Sequence, residues 1–289
     1  MTLRHLNIFL SVCDTGNMTA AAEKLYIAQP SVSQAILELE KHYNVKLFER
    51  LGRKLFITAA GQKLLTYARH MVNLNKEAEE AMREIGNNGV IRIGASVTVG
   101  AWVMNPLIKE FIRYNPNIKV ISFVDNTKVI EGMLLQDQLD IGLVEGKVHS
   151  QSLLTKAFMD DELVLVCAPS HPFGQKGRIT SLDFDNKEFI VREEGSGTRE
   201  LFESVMASKG ISWQAAGVYN NAETIRNAVS NGLGITVISK MAVQKELARN
   251  ELVLVEIEDI RFQRKFYIVY HKNKYISPIL QKFIQLCIS

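Results

Sequence analysis

Gly86-Asn87-Asn88-Gly89 separates two hydrophobic patterns that no single architecture accommodates. Before it, apolar residues recur at helical spacing, interrupted near residue 50 by a short basic segment. After it, short β-branched runs alternate with helical stretches to the end of the chain. The first pattern predicts a small helical unit continued by one long helix. The second predicts an α/β unit. The length of 289 residues agrees, being too great for one ordinary small core.

Composition narrows the choice further. The chain is 47% hydrophobic and 22% charged and is not enriched in Pro or Gly, which argues against a long disordered region. Its formal net charge is only +3, so a surface for nucleic acid has to be a local one. Cys13, Cys167 and Cys287 are far apart, odd in number and without CxxC spacing, against a disulfide framework or a zinc site and in keeping with a reducing cytosol. Residues 1–10 lack a basic start followed by a long apolar run, and no stretch approaches about 18 uninterrupted apolar residues. The expectation is a cytoplasmic protein, neither exported nor membrane-spanning. There is no internal repeat and no low-complexity tract.

Within the first pattern, Leu3, Leu6, Phe9, Leu10 and Cys13 mark one face of a helix that Asp14-Thr15-Gly16-Asn17 ends. Thr19 can cap a second helix over residues 20–25, whose alanines permit close packing. After the break Tyr26-Ile27-Ala28-Gln29, Pro30 suits the first turn of a third helix. There Val32, Ile36 and Leu39 face inward, while Pro30, Ser33, Gln34, Leu37 and Lys41 form the opposite face. A polar, weakly charged face at a helix start fits a major-groove reader, with Gln able to pair with adenine; a solvated amphipathic helix has the same pattern. Residues 45–57 read as two short strands turning at Gly52, with Lys46, Arg50, Arg53 and Lys54 opposed only by Glu49. Such a hairpin can grip phosphates, or simply be solvated.

The run NMTAAAEKLYIAQPSVSQAILELEKHYNVKLFERLGRKLFITAAGQKLL closely resembles the DNA-binding domain of LysR-type transcriptional regulators. The resemblance rests on Ala21-Ala22, Leu25, Gln29-Pro30-Ser31-Val32-Ser33, Leu47-Phe48-Glu49-Arg50, Thr58 and Gly61, and chain length and domain order extend it over the whole chain. It implies a winged helix-turn-helix domain over residues 1–58, with Gln29, Pro30, Ser31, Ser33 and Gln34 facing DNA and Arg50 and Arg53 supporting from the wing. Tyr26 and Ile27 fill a turn position that varies in such proteins.

Residues 59–89 read as a linker helix that Thr58 can cap. Leu64, Ala68, Met71, Asn75, Ala78, Met82 and Ile85 alternate at heptad spacing, with Asn75 the lone polar member. This favours a seam between two copies over packing of the helix on its own domain. The resemblance likewise implies linker helices that pair two DNA-binding domains in a dimer or tetramer. Two reading helices then engage half-sites about one helical turn apart, so the operator is an interrupted inverted repeat.

In residues 90–289, strands are read at 90–93, 119–124, 140–144, 163–168, 189–192, 235–238, 252–257 and 266–270, with helices between most, hence largely parallel sheets. Four helix starts follow strands: at Ser96-Val97-Thr98, Asn126-Thr127, Gly195-Ser196-Gly197-Thr198 and Asn220-Asn221. Helix N-termini with hydroxyls can hold an anion, and Gly195 and Gly197 would let the backbone approach a ligand; ordinary capping is the better account of any one of them, and only four brought together by the fold would point to a ligand. The resemblance implies a two-lobed, periplasmic-binding-protein-like α/β effector domain, with lobe I at 90–160 and 266–289, lobe II at 162–264, and crossings near Asp160-Asp161 and Gln263–Lys265. By the same pattern Ser96, Thr98, Thr127, Ser196 and Thr198 contact the effector. Arg199 either pairs with an effector carboxylate or sulfate or forms a surface ion pair. The stretch EEGSGTRELFE resembles the branch of the family controlling sulfur assimilation or carbon fixation and points to a small anion.

A catalytic role lacks support. Around Ser196 a GxSxG elbow would need glycine where Thr198 stands. His149 and His171 form no metal-like pair, and there is neither a P-loop nor a dinucleotide fingerprint. The expectation is therefore a non-enzymatic, effector-responsive regulator without metal or cofactor, partnered by double-stranded DNA, by copies of itself and by RNA polymerase. A periplasmic-type binding protein and an enzyme acting on a small anion are the alternatives.

Overall fold

The computed structural model describes residues 1–51, 54–83 and 89–289. The chain divides into two compact units, Met1–Asn87 and Asn88–Ser289. Gly52, Arg53, Ile85 and the break at 86–88 lie outside the described residues, as does the side chain of Met82.

In the first unit, α1 (Leu3–Thr15) ends at Gly16, whose φ of 63° supplies the left-handed cap that glycine tolerates best. Helix α2 (Met18–Lys24) is capped by Asn17, whose side chain accepts from Thr19 and Ala20 N–H, so the cap lies two residues before the expected Thr19. Both residue types accept well at an N-cap, and Asn17 is the one left extended after Gly16. Helix α3 (Gln29–Tyr43) starts one residue before Pro30. The antiparallel pair β1 (Phe48–Leu51) and β2 (Lys54–Ile57) follows. Phe9, Val12, Ala21, Val32, Ile36, Leu39 and Leu47 make one buried core. Glu40 ties the hairpin to α3: its carboxylate accepts from Leu47 N–H at 3.0 Å and pairs with Lys46 Nζ at 2.6 Å.

Helix α4 (Ala59–Arg83) is held by Thr58, whose hydroxyl accepts from Gly61 N–H at 3.0 Å and donates to the Lys46 carbonyl. Leu64 and Ala68 are buried in the unit's own core and Met71 packs against it, beside α1. The first part of the heptad pattern is thus spent within the chain. A single apolar stripe serves a domain core and a partner helix equally well, and here the core takes it. Among the described residues of α4, Tyr67 and Leu74 are large apolar side chains left exposed.

The second unit is built on a mixed sheet. Its parallel part joins β3 (Gly89–Ser96) to β4 (Ile118–Asp125) and to β5 (Ile141–Glu145). Two long antiparallel strands, β6 (Leu153–Cys167) and β12 (Phe262–His271), run side by side with Asp161 opposite Arg264. At one end β12 pairs with β5; at the other β6 pairs with β10 (Thr236–Ser239) and β11 (Val253–Ile257). The pair β7 (Arg178–Ile179) and β11, and the pair β8 (Lys187–Arg192) and β9 (Trp213–Tyr219), are parallel. The expected parallel character thus holds only away from β6 and β12. Strands that cross between two lobes must pass each other in opposite directions.

The cores follow this division. Ile91, Ile93, Phe111, Leu143, Phe266, Ile268 and Phe283 form one, and Leu163, Leu165, Phe184, Phe189, Phe202, Val255 and Phe262 another. Helix α7 (Thr127–Leu135) packs through Ile130 and Leu134 on a separate cluster with Val144 and Val269, while over the first core lie α12 (Pro278–Ile288) and a helix that begins as α5 (Val97–Val99), continues through a π turn at Gly100–Met104 and becomes α6 (Asn105–Tyr114). Helical φ and ψ at Val99, Gly100, Met104 and Asn105 make these three pieces one continuous helix. The other part carries α8 (Pro172–Lys176), α9 (Gly197–Ser208), α10 (Ala222–Ser230) and α11 (Gln244–Ala248). Among the described residues, no helix is long and apolar enough to cross a membrane.

Candidate functional site

The helix-turn-helix presents a polar edge. The turn between α2 and α3 passes through Tyr26, at φ 54° and 96% exposed. Beyond it Pro30, Ser31 and Gln34 are exposed, whereas Gln29 and Ser33 are half-buried. Gln29 Nε2 donates to Ser33 Oγ at 2.8 Å, and Gln34 Nε2 donates to Glu38 at 2.8 Å. These side chains therefore sit on one rigid helix start whose opposite face is the core, an arrangement that can offer amide and hydroxyl groups to a nucleic-acid groove. Arg50 is exposed on β1; Arg53 lies outside the described residues.

In the second unit, three of the four predicted helix starts meet. Ser96, at the end of β3, and Thr98, in the first turn of α5, both donate hydroxyl hydrogen bonds to the Glu145 carboxylate, Thr98 at 3.1 Å. Thr127, at the start of α7, donates to the Glu145 carbonyl at 3.0 Å. Ser196 caps α9, accepting from Thr198 N–H at 3.3 Å. Thr198 accepts from Arg264 at 2.9 Å, and Arg264 Nε donates to Asp161 at 2.7 Å. Ser239 donates to the other Asp161 oxygen at 2.8 Å. Every residue of this cluster is buried, including the charged Glu145, Asp161 and Arg264. Arg264 Nη1 stands 4.0 Å from Glu145, and its guanidinium lies over the Phe266 ring.

Burial at this density depends on glycine. Gly195 has φ +87°, and a Cβ on it would meet Lys128 and Asn126 at the start of α7. A Cβ on Gly197 would run into the backbone carbonyl of Glu145. The two glycines thus let chain segments touch one another, where the expectation was close approach to a ligand. His149 bridges the same region, its ring nitrogens 3.4 Å from Glu131 and 3.0 Å from Glu200.

The other two candidates lie elsewhere. Asn221 is exposed and caps its own helix α10 through Thr224 N–H. Arg199 pairs with Glu203 at 2.7 Å and donates to the Arg192 carbonyl, so the cation that reaches the cluster is Arg264. Glu145, Asp161 and Arg264 were missed in the sequence. The available signals were a charge ending the apolar run Ile141-Gly142-Leu143-Val144 and an arginine alternating between Phe262 and Phe266. Beside the cluster, Gly146, Lys147, Gln263, Arg264 and Tyr267 line a cavity of about 370 Å³. Among the described residues no group of His, Cys, Asp and Glu is arranged to hold a metal.

Comparison with known proteins matches residues 3–62 to the bacterial regulatory helix-turn-helix protein, lysR family, and residues 85–289 to the LysR substrate binding domain. The chain is 32% identical over 287 residues to the uncharacterized HTH-type transcriptional regulator YeiE of Escherichia coli K12, covering 99% of this chain and 97% of that one. It is 34% identical over 290 residues to a probable RuBisCO transcriptional regulator of Cyanophora paradoxa, covering 98% and 90%. Among solved structures, the regulatory domain of CcmR from Synechocystis PCC6803, in complex with 2-PG, aligns with a TM-score of 0.65 at 27% identity, over 70% of this chain and 96% of that domain.

Proposed function

Because the chain belongs to the LysR family of helix-turn-helix transcriptional regulators, joining a DNA-binding unit to a ligand-binding domain, we propose that a small anionic metabolite bound between the two lobes controls its hold on DNA. Gln29, Pro30, Ser31, Ser33 and Gln34 read base edges from α3, and Arg50 and Arg53 grip phosphates from the hairpin. Paired in a dimer or tetramer, the α3 helices read an interrupted inverted repeat. Ser96, Thr98, Thr127, Ser196 and Thr198 hold the anion, and the cavity beside Arg264 takes the rest of the metabolite. Arg199 stays with Glu203 and braces α9. The effector shifts the spacing of the paired reading helices and with it DNA bending or contact with RNA polymerase.

One observation carries this reading: five hydroxyls from three helix starts, far apart in sequence, are buried around one charged cluster. Helix N-termini and hydroxyls favour negative charge, and a closed cluster of this kind must open or rearrange when a ligand enters. That gives the ligand differential contacts in two states, which coupling between sites requires. CcmR's regulatory domain, solved with 2-PG, is one precedent for a small molecule in this fold.

Two substitutions test the division of labour. Gln34→Ala weakens binding to preferred DNA and leaves anion binding unchanged; Thr98→Ala does the reverse. Both are measured by fluorescence anisotropy on labelled DNA and by calorimetry. A Gln34→Ala protein that binds preferred DNA as tightly as the parent removes α3 as the reader. A Thr98→Ala protein with unchanged anion affinity removes the helix starts as the anion site.

A further inference from the structure

The part of the cluster best suited to an anion already contains one. Ser96 and Thr98 both spend their hydroxyl protons on the Glu145 carboxylate, which is 1% exposed. The nearest cation, Arg264, keeps its short contacts for Asp161 and Thr198 and stands 4.0 Å from Glu145. Two buried carboxylates thus share one guanidinium, and the fixed charge at the helix starts is negative.

Building on the anion reading above, we propose that Glu145 decides which oxyanions the cleft takes, admitting those that carry a proton and excluding those that carry none. An oxyanion with an O–H donates it to the Glu145 carboxylate in a short charge-assisted bond. Its other oxygens then take the Ser96 and Thr98 hydroxyls, which rotate to donate. A fully deprotonated oxyanion in the same place gives Glu145 no hydrogen bond and meets like charge in a medium that screens it poorly. Asp161 does not play this part, because the Arg264 guanidinium sits on it at 2.7 Å and neutralises it, whereas Glu145 is held only by hydroxyls that can rotate away.

Inorganic phosphate and sulfate are the probes. Their size and shape are close, but at neutral pH every phosphate species carries a proton and sulfate carries none. Each is titrated calorimetrically into the full-length protein and into Glu145→Gln. The wild-type protein is expected to prefer phosphate by at least about 100-fold, as sites built around one required donor do. Glu145→Gln, whose amide can donate, is expected to gain sulfate binding and lose most of that preference. A wild-type protein that binds both anions equally overturns the role of Glu145 and leaves the anion site standing. Binding of neither anion, to either protein, overturns the anion site and this inference with it. The wild-type ratio needs no variant, so a folding defect in Glu145→Gln cannot mask the result.

Discussion

Replacing Arg264 by leucine should be among the most damaging single changes in the second unit. The side chain is 3% exposed and lies between Asp161 at 2.7 Å and Glu145 at 4.0 Å, while also donating to Thr198. Leucine fills much of the space but leaves two buried carboxylates without their cation. Breaking a buried pair from one side costs about 3–5 kcal/mol, because the stranded charge remains desolvated. At about 2–4 °C per kcal/mol for a unit of this size, the melting temperature falls by roughly 6–20 °C. The assay is urea and thermal unfolding followed by tryptophan fluorescence. Trp102 and Trp213 are the chain's two tryptophans and both belong to the unit Asn88–Ser289, so the signal reports that unit. Adding Asp161→Leu to Arg264→Leu should recover at least about 1 kcal/mol, since the pair is coupled. A loss below about 1 kcal/mol for Arg264→Leu, the range of exposed ion pairs, would refute the picture of a dry centre whose two carboxylates depend on one cation.

Three further outcomes follow from the same structure. Glu40→Ala removes the acceptor of the buried Leu47 N–H, costs about 1–3 kcal/mol and speeds amide exchange at Leu47 and Phe48; unchanged exchange there would mean that the hairpin is held otherwise. Burial, with the Asp14 charge beside Cys13, pushes the Cys13 thiol up to about 12, and burial raises Cys167 to about 11 and Cys287 to about 12. Iodoacetamide at mildly alkaline pH should therefore label the native protein far more slowly than the denatured one at all three, and rapid native labelling would contradict the raised thiols. Burial pushes the Asp140 carboxyl up, but hydrogen bonding by Arg92 and the charges of Lys274 and Arg92 outweigh it and hold the group below its usual range. Its contribution is present above the unfolded value of about 3.9 and is lost as pH falls through the lower folded one. Urea unfolding in that acid window should show a shallower loss for Asp140→Asn than for the parent.

Much of this architecture was legible because local pattern and tertiary use coincide. Val32, Ile36 and Leu39 face the core from α3 as their spacing requires. The hydroxyls at the helix starts were legible too, since a strand followed by Ser or Thr and a helix has few other readings. What failed had a physical cause in each case. Strand β6 was read only over its apolar end, because Thr155–Glu162 carries polar, mostly exposed residues and loses the hydrophobic signal while still pairing with β12. Strand β9 was implied only by the helix start after Tyr219, because its Ala215-Ala216-Gly217 centre gives little β-branched signal. The heptad spacing of Leu64, Ala68 and Met71 says that one face of α4 is covered but not by what. The charged centre was invisible because Glu145, Asp161 and Arg264 are brought together only by the crossing of β6 and β12.

The most direct test of the account is selection from genomic DNA fragments by the purified full-length protein, at near-physiological salt with excess nonspecific competitor. The account predicts recovery of an interrupted inverted repeat, lost on Gln34→Ala, with an affinity that a small anion shifts and that Thr98→Ala makes unresponsive. Recovery of no preferred sequence, with or without a panel of small anions, would contradict it and leave the second unit as a binding domain without a DNA output.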